Sequence, residues 1–402
     1  MRRMLSALGA VFEQAAYTAV QFGINVALAR SMDVAGYGVV AVVLSLVVFI
    51  NIFYVSFLHE PALIEGLKLR VGFSIEVALL TVLPVAAGSI LYLYGHGLST
   101  SACAAAAVLF ASYTAYWVLR TVGAKARGYT GLLACHTLIG GGVAVIGLAS
   151  GTQKESAVML MLAAAILLPT LLGAGAIRRD MRNGRIEIIP GRPASPRQWL
   201  GFGASSASAQ LMSWLVGPGL VVLLGSLGHF ADSAKFRILL TVLLPAQYIL
   251  MALGYHLMPR FATSFRQDDT LTLARTSLLF VLGGVALAGA LSVLLLLVGD
   301  RIVVILFGAA YGDLDVRFFA LFPVVFAVVM CLRTLLKSFG MARAIFLAAG
   351  IGLVAGIGLG AWRYPRLDYL VAAQVMLLSF LVIALIQTGA LAMGVLRRHG
   401  TA

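Results

Sequence analysis

Apolar runs of about 20 residues recur along this chain, and that repetition limits its fold more than any other feature. About 20 residues of helix cross a hydrocarbon core of roughly 30 Å. No water reaches peptide groups there, so the chain must satisfy its own backbone, and helices do so within one segment. The alternating pattern of a transmembrane barrel strand is absent. Only 11% of the 402 residues are charged, against roughly 25% in a soluble domain. The sequence therefore predicts an all-α integral membrane protein with about 12 transmembrane helices. The spans fall at 11–30, 36–58, 72–94, 101–122, 129–150 and 155–177. After a polar break come 198–224, 235–259, 271–298, 317–338, 342–362 and 369–396.

The net charge of +14 raises the question of nucleic acid, but there is no basic stripe with interleaved aromatics, so no nucleic-acid partner is expected. The cations instead follow the spans. Of the 29 Lys and Arg, 21 lie in segments on the N-terminal side of the membrane and 8 on the other. That bias predicts an N-in, C-in multi-pass topology; the membrane expected is a bacterial inner (cytoplasmic) one, which the count itself does not identify. The break at 178–197 carries six arginines and Pro190, Pro193 and Pro196. It reads as a cytoplasmic tether between an N-terminal six-helix bundle, 1–177, and a C-terminal one, 198–402. Docking of partner enzymes or anionic lipid is the other reading of this segment. Cys103, Cys135 and Cys331 all sit in apolar runs, which leaves neither a disulfide framework nor a metal site. Met1-Arg2-Arg3 precedes a long run dotted with polar groups and without a cleavage site, so the first helix is expected to be retained.

The two halves share short patterns in the same order. Asp33-Val34-Ala35-Gly36-Tyr37 opens the second span and Asp232-Ser233-Ala234-Lys235-Phe236 the eighth. His59-Glu60-Pro61 and His256-Leu257-Met258-Pro259 close them. Leu119-Arg120-Thr121 ends the fourth, and Leu332-Arg333-Thr334 the tenth. Both halves start on the same side, so the repeat is parallel. Gln14, Thr18, Gln21 and Asn25 share one face of the first span, and Ser206, Gln210, Ser213 and Gly217 repeat that spacing in the seventh. Gln14, Thr18, Gln21, Asn25, Ser206, Gln210 and Ser213 are cavity-lining candidates, with interhelical hydrogen bonding as the other reading. Pro84, Pro169, Pro218, Pro245 and Pro323 lie inside spans and are expected to kink them. Gly352, Gly356 and Gly360 predict a close helix approach.

Phe22-Gly23-Ile24-Asn25-Val26-Ala27-Leu28-Ala29-Arg30, followed by Gly36-Tyr37-Gly38, resembles the opening of Wzx-type polysaccharide biosynthesis flippases. Leu306-Phe307-Gly308 with Tyr311 resembles them too, as do the helix ends at Arg120 and Arg333. Their superfamily also holds multidrug antiporters and lipid II flippases. The resemblance covers nearly the whole chain. It implies a V-shaped, MATE-like pair of bundles working by alternating access, with a polyprenyl-pyrophosphate-linked oligosaccharide as cargo for O-antigen, capsule or exopolysaccharide synthesis. Membrane lipids, a polysaccharide polymerase and other assembly proteins are the partners it implies.

Such a cargo needs cations along its head-group path, and an intramembrane charge costs about 2.5–3.5 kcal/mol even on the mildest scale. Arg120, Arg333 and Lys337 are the candidates to collect pyrophosphate from the inner leaflet, and Arg30 and Arg237 to receive it outside. Positive-inside anchoring by snorkelling is the plain reading of each. A cation-coupled multidrug antiporter is the alternative function. It usually needs a carboxylate buried in its cavity, whereas Glu13 and Glu76 lie near the interface and the other acids in loops or at helix ends. A membrane glycan ligase or polymerase fits less well. Asp313-Leu314-Asp315 has the spacing of a glycosyltransferase metal motif but falls outside, in a loop at 299–316, where it reads as the start of the tenth helix. No G-x-x-x-x-G-K-[ST] loop is present. No catalytic residue, metal or cofactor is expected.

Overall fold

The computed structural model describes residues 2–63, 81–125, 130–151, 154–183, 196–267, 269–363 and 367–399. Among these residues the regular structure is entirely helical. In the first part of the chain α1 is Arg2–Ser31 and α2 is Val34–Tyr54, continued by a π-helical turn at Val55–His59 and a further turn at Glu60–Leu63. Then come α3, Leu83–Gly95; α4, Thr100–Lys125; α5, Thr130–Ala149; and α6, Glu155–Arg182. After the break lie α7, Pro196–Leu215; α8, Pro218–Ser226; α9, Phe230–Arg266; α10, Thr270–Phe307; α11, Phe322–Ser338; α12, Ala342–Arg363; and α13, Tyr369–His399.

Where they are described, the expected spans fall on helix except for the turn at 216–217 and the end residues 150 and 317; 72–80 lies outside the described residues, as do linker residues 184–195 and Glu76. Among the described residues eight helices are long and apolar enough to cross a membrane, or nine if a bent pair is one span. That pair is the seventh span, which bends by 55° between α7 and α8. Gly217 and Pro218 supply the break, since proline lacks the N–H that a continuing helix needs. Pro169 lies inside α6, as expected. Pro84 and Pro323 stand at the second positions of α3 and α11, directly after π-helical residues 81–82 and a 3-10 turn at Phe318–Leu321, so each marks a change of helical form within its span. The loop expected at 299–316 is shorter than the sequence indicated, because α10 continues to Phe307 before Gly308 ends it at φ 104°. Val303 and Phe307 are buried there, so packing carries the helix past the charges of Asp300 and Arg301.

The chain packs as two compact units, Met1–Leu211 with Val221–Ala234, and Met212–Leu220 with Lys235–Ala402. In the first, Asp33 caps α2 by accepting from the Gly36 N–H at 3.4 Å. A Cβ on Gly203 of α7 would meet the Phe57 ring at 2.3 Å, and one on Gly225 of α8 would meet Val42 at 2.5 Å. Both helices therefore lie close against α2. In the second unit a Cβ at Gly356 would fall 2.2 Å from Ser379 Oγ, and one at Gly352 would fall 2.7 Å from the Ser379 carbonyl oxygen. The glycine row of α12 thus lets α13 approach closely. Gly356→Leu is expected to cost about 1–3 kcal/mol through overpacking, read as a lower melting temperature of the purified protein. An unchanged melt would contradict the close approach.

Candidate functional site

Arg120 sits near the end of α4, at the boundary of an apolar span, yet is only 8% exposed. One guanidinium nitrogen donates to Gln14 Oε1 at 2.5 Å. The guanidinium carbon lies 4.6 Å from the centre of the Trp117 ring and 4.9 Å from that of Tyr17. Trp117 and Tyr116 precede Arg120 by three and four residues and therefore share its face. Tyr116 stacks on Tyr17 of α1, with centroids 5.9 Å apart. Burial in this aromatic box strengthens each cation–π contact, from about 0.5–1 kcal/mol at a wet surface to about 2 when desolvated.

Beside the box, α2 changes register. Pro61 has no N–H for the Phe57 carbonyl, and the Glu60 N–H bonds back five residues to Val55. Such π turns often occur at functional sites. This one places His59 edge-on to Trp117, with ring centres 5.6 Å apart, and its Nδ1 2.8 Å from Thr121 Oγ1. Tyr54 donates to the same hydroxyl at 3.3 Å. Glu60 is 2% exposed and accepts from the Ser206 hydroxyl of α7. Gln210 Nε2 donates to Ser206 Oγ at 3.1 Å and to Ser56 Oγ at 3.0 Å. A carboxylate thus sits buried in a polar web that joins α2 to α7.

The polar face of α1 is spent largely inside its own unit. Thr18 and Asn25 donate to the carbonyls of Gln14 and Gln21. Tyr37 donates to Asn25 Oδ1 at 3.1 Å, and Gln21 bonds the Tyr113 hydroxyl at 3.0 Å. Gln21, Tyr113, Tyr116 and Thr137 line a cavity of about 20 Å³, room for roughly one water. Pro169 and Gly140 also border it.

In the second unit, Arg333 of α11 donates from Nη1 to Ser213 Oγ at 3.3 Å. Each half therefore bonds its fourth-span arginine to the polar face of its own first span. Lys337 follows one turn later and is half-buried. Arg237, near the start of α9, is 9% exposed, whereas Arg30, in the last turn of α1, is exposed. Asp313 pairs with Lys235 at 2.5 Å, and Asp315 accepts from the Phe318 N–H at 3.3 Å, capping the turn that leads into α11. Among the described residues no three His, Cys, Asp or Glu side chains are placed to share a metal ion.

The structure adds Glu60, His59, Tyr17 and Trp117 to the candidates the sequence names. The sequence places the acids other than Glu13 and Glu76 in loops or at helix ends, and Glu60, at the end of the π turn, is such a residue but is buried.

No family model matches the chain, and no curated protein matches it in sequence. Solved structures do match in fold. An inward-facing multidrug resistance MATE family transporter of the MOP superfamily superposes over 99% of this chain and 92% of its own, with TM-score 0.55 at 16% identity. A Vibrio cholerae MATE transporter aligns over 98% and 97%, with TM-score 0.60 at 14% identity. The lipid II flippase MurJ, in an inward closed conformation, aligns over 97% and 87%, with TM-score 0.63 at 11% identity. The fold is MATE-like.

Proposed function

We propose that this protein is a transporter of the MOP type that flips a polyprenyl-pyrophosphate-linked oligosaccharide from the cytoplasmic to the outer leaflet. The halves that exchange access are 1–177 and 198–402, tethered by 178–197, with 198–211 and 221–234 moving as part of the first compact unit. The observation that carries the reading is Arg120, a cation kept out of water in a box of aromatic rings. A buried charge is expensive, and a guanidinium presents a planar fork of donors that fits phosphate oxygens. Arg333 and Lys337 supply the corresponding cations in the second half, and Arg237 and Arg30 serve the opposite leaflet. The lipid tail stays in hydrocarbon throughout, so the protein carries only the polar head. Neither a cofactor nor covalent chemistry is required. Deleting the gene in its host tests this reading. Lipid-linked repeat units should then accumulate on the cytoplasmic side and surface polysaccharide should be lost. Unchanged surface polymer would contradict it.

One observation favours a second reading, a cation-coupled multidrug antiporter. Glu60 is the buried carboxylate that such a transporter needs, and MATE transporters share the fold. Glu60→Gln keeps a side-chain oxygen that can accept from Ser206, so folded yield should hold. If Glu60 carries the coupling proton, transport driven by a pH gradient should stop in this variant. Full gradient-driven transport in Glu60→Gln would remove the second reading.

A further inference from the structure

Two side chains that touch the Arg120 guanidinium, Gln14 and Trp117, each carry a buried hydrogen-bond donor. Gln14 turns its side-chain oxygen toward the guanidinium. That contact fixes the amide orientation, because the opposite flip would set N–H against N–H. Gln14 Nε2 is thus the amide atom that Arg120 does not engage; it is fully buried and has no hydrogen-bond partner. Trp117 Nε1, on the other ring that holds the guanidinium, is likewise buried without a partner. An indole nitrogen can only donate, and so can an amide nitrogen. Leaving such a group buried and unpaired costs about 1–3 kcal/mol, so two of them beside one cation point to a missing acceptor. Thr121 of α4 and His59 of the π turn, which flank Trp117, already bond each other at 2.8 Å.

We infer that Gln14 Nε2 and Trp117 Nε1 are specificity-determining donors for an oxoanion held at Arg120. The ligand class is a phosphate or diphosphate head group, whose several oxygens can accept from all three side chains. A single carboxylate has one face to offer to the guanidinium fork and leaves the indole or the amide unpaired. Trp117 thus has two parts: its ring carries the cation and its N–H reads the ligand. The inference rests on the head-group role given to Arg120 above and adds to it the two residues that select among anions.

The test uses the full-length protein in nanodiscs of zwitterionic lipid, with inorganic pyrophosphate as probe and acetate as competitor, read by calorimetry. Trp117→Phe keeps the ring stack and removes only the N–H, and Gln14→Met keeps the length and removes the amide. Each should weaken pyrophosphate binding about tenfold, the effect of one hydrogen bond to a charged group. Trp117→Phe should lose pyrophosphate far more than acetate, and Gln14→Met, which also removes the oxygen that Arg120 donates to, should still lose pyrophosphate by more than it loses acetate. If both variants bind pyrophosphate like wild type while Arg120→Gln does not, the donor inference is overturned and the role of Arg120 stands. If wild type itself does not bind pyrophosphate, both fall, and the two N–H groups serve an internal water only. Should Trp117→Phe fail to fold, the pyrophosphate-to-acetate preference of Gln14→Met decides, since loss of the Oε1 contact to Arg120 weakens both anions while loss of Nε2 weakens pyrophosphate further; an unchanged preference overturns the inference.

Discussion

Arg120→Ala abolishes export of the glycan while full-length protein still reaches the membrane; that is the largest functional effect expected of any single substitution here. A guanidinium that grips a phosphate through two charge-assisted bonds contributes about 1.5–3 kcal/mol per bond. At about 1.4 kcal/mol per decade, its loss lowers head-group affinity on the order of a hundredfold or more. The substitution also leaves Gln14 Oε1 without its donor and the rings of Tyr17 and Trp117 without their cation. Arg120→Lys separates charge from geometry. It keeps the cation but offers a point charge in place of the fork, so export should recover in part and stop short of wild type. The measurement is surface polysaccharide per unit of membrane-inserted protein in a deletion strain complemented with each variant. Wild-type export from Arg120→Ala would reduce the residue to a packing element.

Gly38→Val should have the largest effect on folding. Gly38 lies in the first turns of α2, where a Cβ would fall 1.9 Å from the Phe230 carbonyl oxygen and 2.6 Å from its carbon. The obstruction is backbone, which cannot rotate aside as a side chain can. Inserting carbon atoms into a packed interior costs about 1–3 kcal/mol when side chains give way, and more when they cannot. The start of α9 must then lift off α2, exposing the buried Tyr37 and Ser233 beside it. Size-exclusion chromatography of detergent extracts should show aggregate in place of a monodisperse peak. Gly88→Ala is the control, because nothing lies within 4 Å of a Cβ at that position. A monodisperse Gly38→Val protein would show that α2 and α9 do not touch there.

The spans were legible because hydrocarbon demands long apolar runs and tolerates few alternatives. The seventh span shows where that legibility ends. Hydropathy is continuous through 198–224, but Gly217 and Pro218 bend the helix by 55°. The length of α10 was hidden for the opposite reason, since Asp300 and Arg301 read as a loop although buried Val303 and Phe307 hold the helix together. At the site, Arg120 stood out as a charge at the edge of an apolar run. Its box did not, because Tyr17 and Trp117 look like any other core aromatics at helical spacing. A signal was there to use: two aromatic residues three and four positions before an intramembrane arginine share its face. Glu60 was missed because the apolar run ends at Leu58, so a charge two residues on looked interfacial. Only the π turn that carries the helix through Pro61 brings that carboxylate inside.

The most direct test of the central claim is reconstitution. The purified protein would be placed in proteoliposomes that carry a short-chain polyprenyl-pyrophosphate oligosaccharide in both leaflets, and the fraction reached by an external, membrane-impermeant glycosidase would be followed. With wild-type protein the inner-leaflet pool should become accessible, while Arg120→Ala and protein-free vesicles keep it protected. Wild-type vesicles that keep the glycan protected, yet exchange a cationic dye for protons, would contradict the flippase account.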